Sequence, residues 1–342
     1  QYERPLAGYI DFCLNAIDPG GLYDGNVIKP DSDISLKENE NADRRTNNLN
    51  SELSTDISLQ MAIGTAVHEF AHILGVTSSD FLFFYDWETG LPRTPSPTRK
   101  TIACVNSEST QKNPRWRKTD LRWMPDESVL RSDISTKGIL YYELTTPSVR
   151  IVAQNQFACD SLNGARLENQ PTNGDCIGSH FEERLFMTEN MSPVLGGVPE
   201  IFSPLTLALL HDSGWYFPNY HVAMVSPFGH GRGCDFVEKD CIVDGNVPEY
   251  GKGFFCNSKL SPNGIAGDQA FGCDPTHTHI ALCDLIDYND YPGFIPPGEK
   301  FQYFGEEGTT LGAIFHNADF CPTYSRGTIS CSDFSVSKLP IG

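Results

Sequence analysis

The stretch Leu59-Gln-Met-Ala-Ile63-Gly-Thr-Ala-Val67-His68-Glu69-Phe70-Ala71-His72-Ile-Leu-Gly75 decides how the chain is read. Its apolar residues recur at helical spacing and nearly all round, which predicts a buried helix. Asp56 or Ser58 is placed to cap its start and Gly75 to end it. His68 and His72 are four apart, so both imidazoles leave the same helical face one turn apart. That geometry suits two nitrogen ligands on one zinc ion. Glu69, next to the first His, is placed to accept a proton from a metal-bound water. The competing reading is a helix whose two His are merely hydrogen-bonded.

Catalytic zinc takes three protein ligands and keeps a fourth position open. In the compact arrangement of such sites the third His follows three residues after the glycine, but that slot is Ser78. The third ligand therefore comes from farther along, among His180, His211, His221, His230, His277, His279 and His316. Most of these are expected to be ordinary surface or hydrogen-bonded histidines. His180 stands out by its setting, Gly178-Ser-His180-Phe-Glu182 followed by Asn190-Met191-Ser192-Pro193. Met191 suits a turn packed beneath the metal, whereas Met187 reads as plain core.

Working outward, the 342 residues carry 44 Asp+Glu against 25 Lys+Arg, a net charge of −19. That balance argues against wrapping a phosphate backbone, so nucleic acid is not an expected partner. No apolar run is long enough to span a membrane. Eleven Cys are present without any CxxC pair, which favours a disulfide framework formed in an oxidising compartment. Cys234, Cys241, Cys256, Cys273, Cys283, Cys321 and Cys331 crowd the last third, among Gly and Pro. The odd count leaves at least one thiol free or paired outside the chain. The start at Gln1 shows no signal-like segment, as in a processed or excised chain.

Residues 8–17 alternate loosely as a strand, and 31–56 read as a solvated loop. Pro92–Arg131 reads as an irregular insertion able to rim a cleft. Helical patterns return at Thr146–Asn155 and Ser203–Ser213. Beyond Ser226 the chain is expected to be loop-rich and cross-linked.

Together these segments resemble the leishmanolysin-like zinc metalloproteases, surface endopeptidases of the metzincin clan. The resemblance rests on His68-Glu-Phe-Ala-His72-Ile-Leu-Gly75, on Cys159-Asp-Ser-Leu-Asn-Gly-Ala-Arg-Leu-Glu168-Asn-Gln170, and on Gly178-Ser-His180 with Met191-Ser-Pro193. It continues through Leu205–Tyr216, Phe228-Gly229, Gly233-Cys234-Asp-Phe236, Phe255-Cys256-Asn257 and Phe320-Cys321-Pro322, in the family's order. The family also inserts a long segment between its second and third His, which accounts for Ser78.

The resemblance implies an α+β fold in three parts. These are residues 1–79 with the HExxH helix and a shortened N-terminal sheet, a mainly helical part at 80–221 with the insertion, and a Cys-rich part at 222–342. It implies one catalytic Zn2+ held by His68, His72 and His180, Glu69 as general base, and Met191 as the floor. Zinc would lower the pKa of its water towards about 7 and polarise the scissile carbonyl, with Glu69 moving the proton to the leaving amine. Protein or peptide substrates and an extracellular or cell-surface location follow from the same likeness. Implied disulfides are Cys159–Cys234, Cys241–Cys321 and Cys256–Cys283. Cys104 and Cys176 border the insertion and form a further candidate pair, while Cys13, Cys273 and Cys331 have no assigned partners.

Only 67 residues precede His68, with no pro-segment and no lipid-anchor tail, so another chain is a candidate source of the missing segments. The one glycosylation sequon, Asn190-Met191-Ser192, falls in the turn expected beneath the metal, where no glycan is expected. A function of a different class competes with the enzyme: a protease-derived structural or adhesion component of an extracellular assembly.

Overall fold

In the computed structural model, residues 59–105, 118–169, 176–194, 200–259, 271–314 and 316–330 are described. Helix α1 runs through residues 59–73. Gly75 ends it with a φ of 112°. There its N–H donates to His72 O and the Val76 N–H donates to Ala71 O, both at 3.0 Å. This paired closure needs a left-handed residue after the helix, which glycine supplies without a Cβ clash. The helix is not buried all round as its composition suggested. His68 and Ala71 face inward, but Leu59, Ile63, Phe70 and Leu74 are exposed. An apolar run states how much surface wants cover, not which side meets the core. The strand expected at 8–17 and the loop at 31–56 lie outside the described residues.

The segment read as an irregular insertion contains regular structure. Strands β1 (Thr98–Ala103) and β2 (Thr119–Met124) pair antiparallel, with Thr98 opposite Met124. Basic and polar residues dominate this exposed pair, which hid its alternation. Strands β3 (Leu130–Ile134), β4 (Leu140–Leu144) and β5 (Ala165–Arg166) form an antiparallel sheet with β4 central. The region 80–221 is therefore not mainly helical: it mixes β1–β5 with three helices.

Those helices are α2 (Pro147–Phe157), α3 (Glu183–Phe186) and α4 (Pro204–Asp212). Ser203 caps α4 by accepting from Leu205 N at 3.0 Å. Helix α2 has no such cap of its own. Instead buried Asp212, at the end of α4, accepts from Ser148 N at 2.8 Å and Val149 N at 3.0 Å. A carboxylate from one helix thereby satisfies the orphan N–H groups of another and locks the two together. Val149, Ala153 and Phe157, at i, i+4 and i+8, bury the facing side of α2.

The last third is built of short pieces. Helix α5 (Cys234–Glu238) leads to β6 (Phe271–Cys273), β7 (His279–Cys283), β8 (Leu285–Asp287), β9 (Leu311–Ala313) and β10 (Tyr324–Ser330). These pair as β10-β7-β6 and β8-β9. Phe157, Phe228, Phe236 and Phe255 are each almost fully buried and in ring contact, joining α2 to α5 and the segment beyond. Disulfides join Cys159–Cys234, Cys241–Cys321 and Cys256–Cys283, the three pairs the resemblance implied, and also Cys104–Cys176. Cys273 is exposed, and Cys13 and Cys331 lie outside the described residues. No helix among the described residues is long and apolar enough to cross a membrane.

Candidate metal centre

The chain turns back on itself to bring a third imidazole to α1. Leu167 bridges Phe181, Glu168 N donates to His180 O at 2.9 Å, and Phe181 N donates to Met191 O at 2.9 Å. The segment carrying His180 is thus stitched between the end of β5 and the turn at 189–192. His68, His72 and His180 converge, and they are the metal-capable group of three found among the described residues. His72 Nε2 lies 3.1 Å from both His68 Nε2 and His180 Nε2.

Each ring is held from behind through Nδ1. His68 Nδ1 donates to Asn190 O at 2.6 Å, His72 Nδ1 to Val76 O at 2.7 Å, and His180 Nδ1 to Glu168 Oε1 at 2.7 Å. All three partners are acceptors, so the proton of each neutral ring sits on Nδ1 and its Nε2 presents a lone pair. Three lone pairs then face one another. Burial opposes relieving this by protonation: it pushes His68 down to about 4 and also lowers His72, and the neighbouring His180 imidazole acts in the same direction on both. A cation between the nitrogens relieves it directly. Four-coordinate zinc with bonds of about 2.0–2.1 Å sets ligand nitrogens roughly 3.3 Å apart, close to the 3.1 Å observed. The donor set fits zinc.

Glu69 is half-buried on α1, beside His68 in sequence. Met191 is fully buried. The other candidate histidines are elsewhere. His211 stacks on Trp87 and meets Tyr220, His277 stacks on Phe254, and His279 lies beside Asp274. Sequence reasoning had no signal for the three Nδ1 acceptors except the one at Val76. That carbonyl lies one residue past Gly75, so the helix-ending turn that spacing foretold also delivers His72's partner.

Asn190 does two jobs. Its carbonyl orients His68, and its Nδ2 donates to Gly64 O at 2.8 Å and to Glu200 Oε2 at 2.7 Å. A sugar on Nδ2 would displace both bonds at a residue 1% exposed. Peptide mass spectrometry of the folded protein is expected to find Asn190 unmodified; a hexose-bearing Asn190 peptide would contradict this.

Burial raises Glu200 to about 7, against an ordinary carboxyl near 4.5. The folded form therefore holds this proton more tightly than the unfolded one. Its contribution to stability is fully present below about pH 4.5 and is lost as pH rises through about 7. Glu189, raised to about 7, and Glu183, raised to about 8, act in the same direction. Glu200→Gln is expected to flatten the decline in unfolding free energy between about pH 5 and 7, by at most about 1.4 kcal/mol per pH unit, and with it the decline in thermal midpoint. Parallel midpoint curves for variant and parent would refute the assignment.

Comparison with known proteins addresses which family the chain falls in. Residues 129–339 match the family model described as leishmanolysin. A leishmanolysin-like peptidase of Drosophila pseudoobscura pseudoobscura is 33% identical over 331 residues, covering 94% of this chain and 41% of that protein. Its counterpart in Caenorhabditis elegans is 30% identical over 340 residues, covering 94% and 43%. The chain belongs to the leishmanolysin family. Leishmanolysin of Leishmania major is 28% identical over 193 residues, covering 55% of this chain and 29% of that protein. The chain thus spans about two-fifths of the length of the leishmanolysin-like peptidases it matches.

Proposed function

We propose that this chain carries the catalytic centre of a zinc-dependent endopeptidase, with His68, His72 and His180 as ligands and Glu69 as general base. The observation supporting this reading is the convergence of three Nε2 lone pairs whose rings are each committed through Nδ1. Family membership supports the same chemistry. When bound, zinc acidifies a coordinated water and polarises a carbonyl oxygen.

The rest is the work of the protein's own groups. Asn190 O, Val76 O and Glu168 hold the imidazoles in one tautomer. Glu69 leaves α1 one residue after His68 and takes no part in holding the rings, so its carboxylate is available to accept a proton and return it to a leaving amine. Met191, buried within the turn at 189–192, serves as the apolar floor. In this reading residues 1–79, 80–221 and 222–342 form the three parts of a metzincin-like arrangement, and the substrates are proteins or peptides. Four disulfides favour assembly in an oxidising compartment, hence an extracellular or cell-surface location.

Purified protein is expected to carry about one zinc per chain. Removal of that ion by a chelator should abolish peptide cleavage, and added zinc should restore it. Cleavage that survives complete removal of the metal would overturn the reading. Stoichiometric zinc with no turnover on any protein substrate would instead favour the structural or adhesion alternative.

A further inference from the structure

We propose that Glu168 is a positioning residue of the metal centre: it orients His180 and supplies the buried negative charge that balances the bound cation. The proposal rests on the zinc reading above and assigns a role to a residue outside the ligand set.

Three observations lead to it. The acceptors behind His68 and His72 are main-chain carbonyl oxygens, whereas the acceptor behind His180 is a carboxylate. Glu168 is 3% exposed. Burying a carboxylate is costly unless a positive charge or several donors compensate it. Its Oε1 receives the His180 Nδ1–H at 2.7 Å and the Ser179 N–H at 3.1 Å. A neutral imidazole and one amide are modest compensation, while a divalent ion on the far side of the ring is strong compensation.

The local chain is also shaped for this contact. A Cβ on Gly178 would lie 2.1 Å from Glu168 Cγ and 2.7 Å from Glu168 O, so only glycine lets the two segments approach. Ser179 Oγ in turn accepts from Ser78 N at 3.1 Å, tying the arrangement to the loop that follows α1. A carboxylate in this position fixes the ring's tautomer and makes the coordinating nitrogen more basic.

The test is zinc affinity of the full chain, measured by competition with a chromogenic chelator. Loss of such an outer partner typically weakens binding about 10–100-fold. Glu168→Gln, which keeps shape but not charge, should fall near the lower figure, and Glu168→Ala near the upper. The ligand-field bands of the cobalt-loaded protein should shift in Glu168→Gln, which a merely structural role would not cause. Unchanged affinity and unchanged bands in folded Glu168→Gln would overturn the proposal. Nitrogen-15 spectra of zinc-loaded parent protein give a check that needs no variant. A proton on His180 Nδ1 in a strong hydrogen bond is expected, and an unprotonated Nδ1 overturns the role. Parent protein that binds no zinc would overturn the zinc reading and this role with it. A parent that binds zinc beside an indifferent Glu168→Gln would overturn the role alone.

Discussion

Glu69→Ala is expected to keep its zinc and lose peptide hydrolysis by roughly 10^2–10^4-fold, the range a positioned general base supplies. In activation free energy that is about 3–5 kcal/mol. The separation of effects follows from the geometry. The three imidazoles are oriented by Asn190, Val76 and Glu168. Truncating Glu69 therefore leaves their lone pairs where they were, and metal content should stay near one per chain. Glu69→Gln should behave almost alike, because it preserves the shape of the side chain but cannot accept the proton. The measurement is kcat on a peptide substrate alongside metal content for parent and variants. Hydrolysis undiminished in Glu69→Ala would remove Glu69 from the mechanism, whatever the zinc does.

Replacing Cys241 and Cys321 together by Ala should cost about 4–5 kcal/mol of stability. The bridge closes a sequence separation of 80 residues, and constraining so long a loop in the unfolded chain accounts for that figure in the chain-entropy treatment. Both cysteines are fully buried within the main hydrophobic core, so the variant also loses packing. Typical domains have about 5–15 kcal/mol in total, so the double variant should be poorly folded at ordinary temperature. The bridge between Cys256 and Cys283 spans 27 residues, and its removal should cost less, about 3.5 kcal/mol. Denaturant unfolding midpoints of the two double variants, compared with the parent, provide the measurement. A loss below about 1 kcal/mol for the Cys241–Cys321 pair would show that the closed loop is already ordered in the unfolded chain.

The reach of sequence reasoning tracked the range of the interactions involved. Helices α2 and α4 were legible because their apolar stripes and terminal residues sit within a few positions of one another. The pair β1–β2 was not, because an exposed strand rich in Arg, Lys and Thr carries no clear alternation to read. The cover on α1 was misjudged for a related reason: hydropathy records demand for burial but not its direction, and Leu59, Ile63, Phe70 and Leu74 stay exposed.

At the candidate site the same division holds. The facing of His68 and His72, the adjacency of Glu69 and the closure at Gly75 follow from helical geometry, which is local and nearly context-free. Val76 as the acceptor for His72 belongs with them, because the turn that ends α1 places it. The choice of His180 over six other histidines, and the pairing of its ring with Glu168, depend on a fold-back. Leu167 meets Phe181, and Gly178 admits Glu168 at a distance no other residue tolerates. The acceptor for His68 comes from Asn190, more than a hundred residues along the chain. Spacing along a helix names which side chains share a face. Which carbonyl or carboxylate waits behind them is settled by long-range packing, where the energies of many weak contacts, and not the order of residues, select the partner.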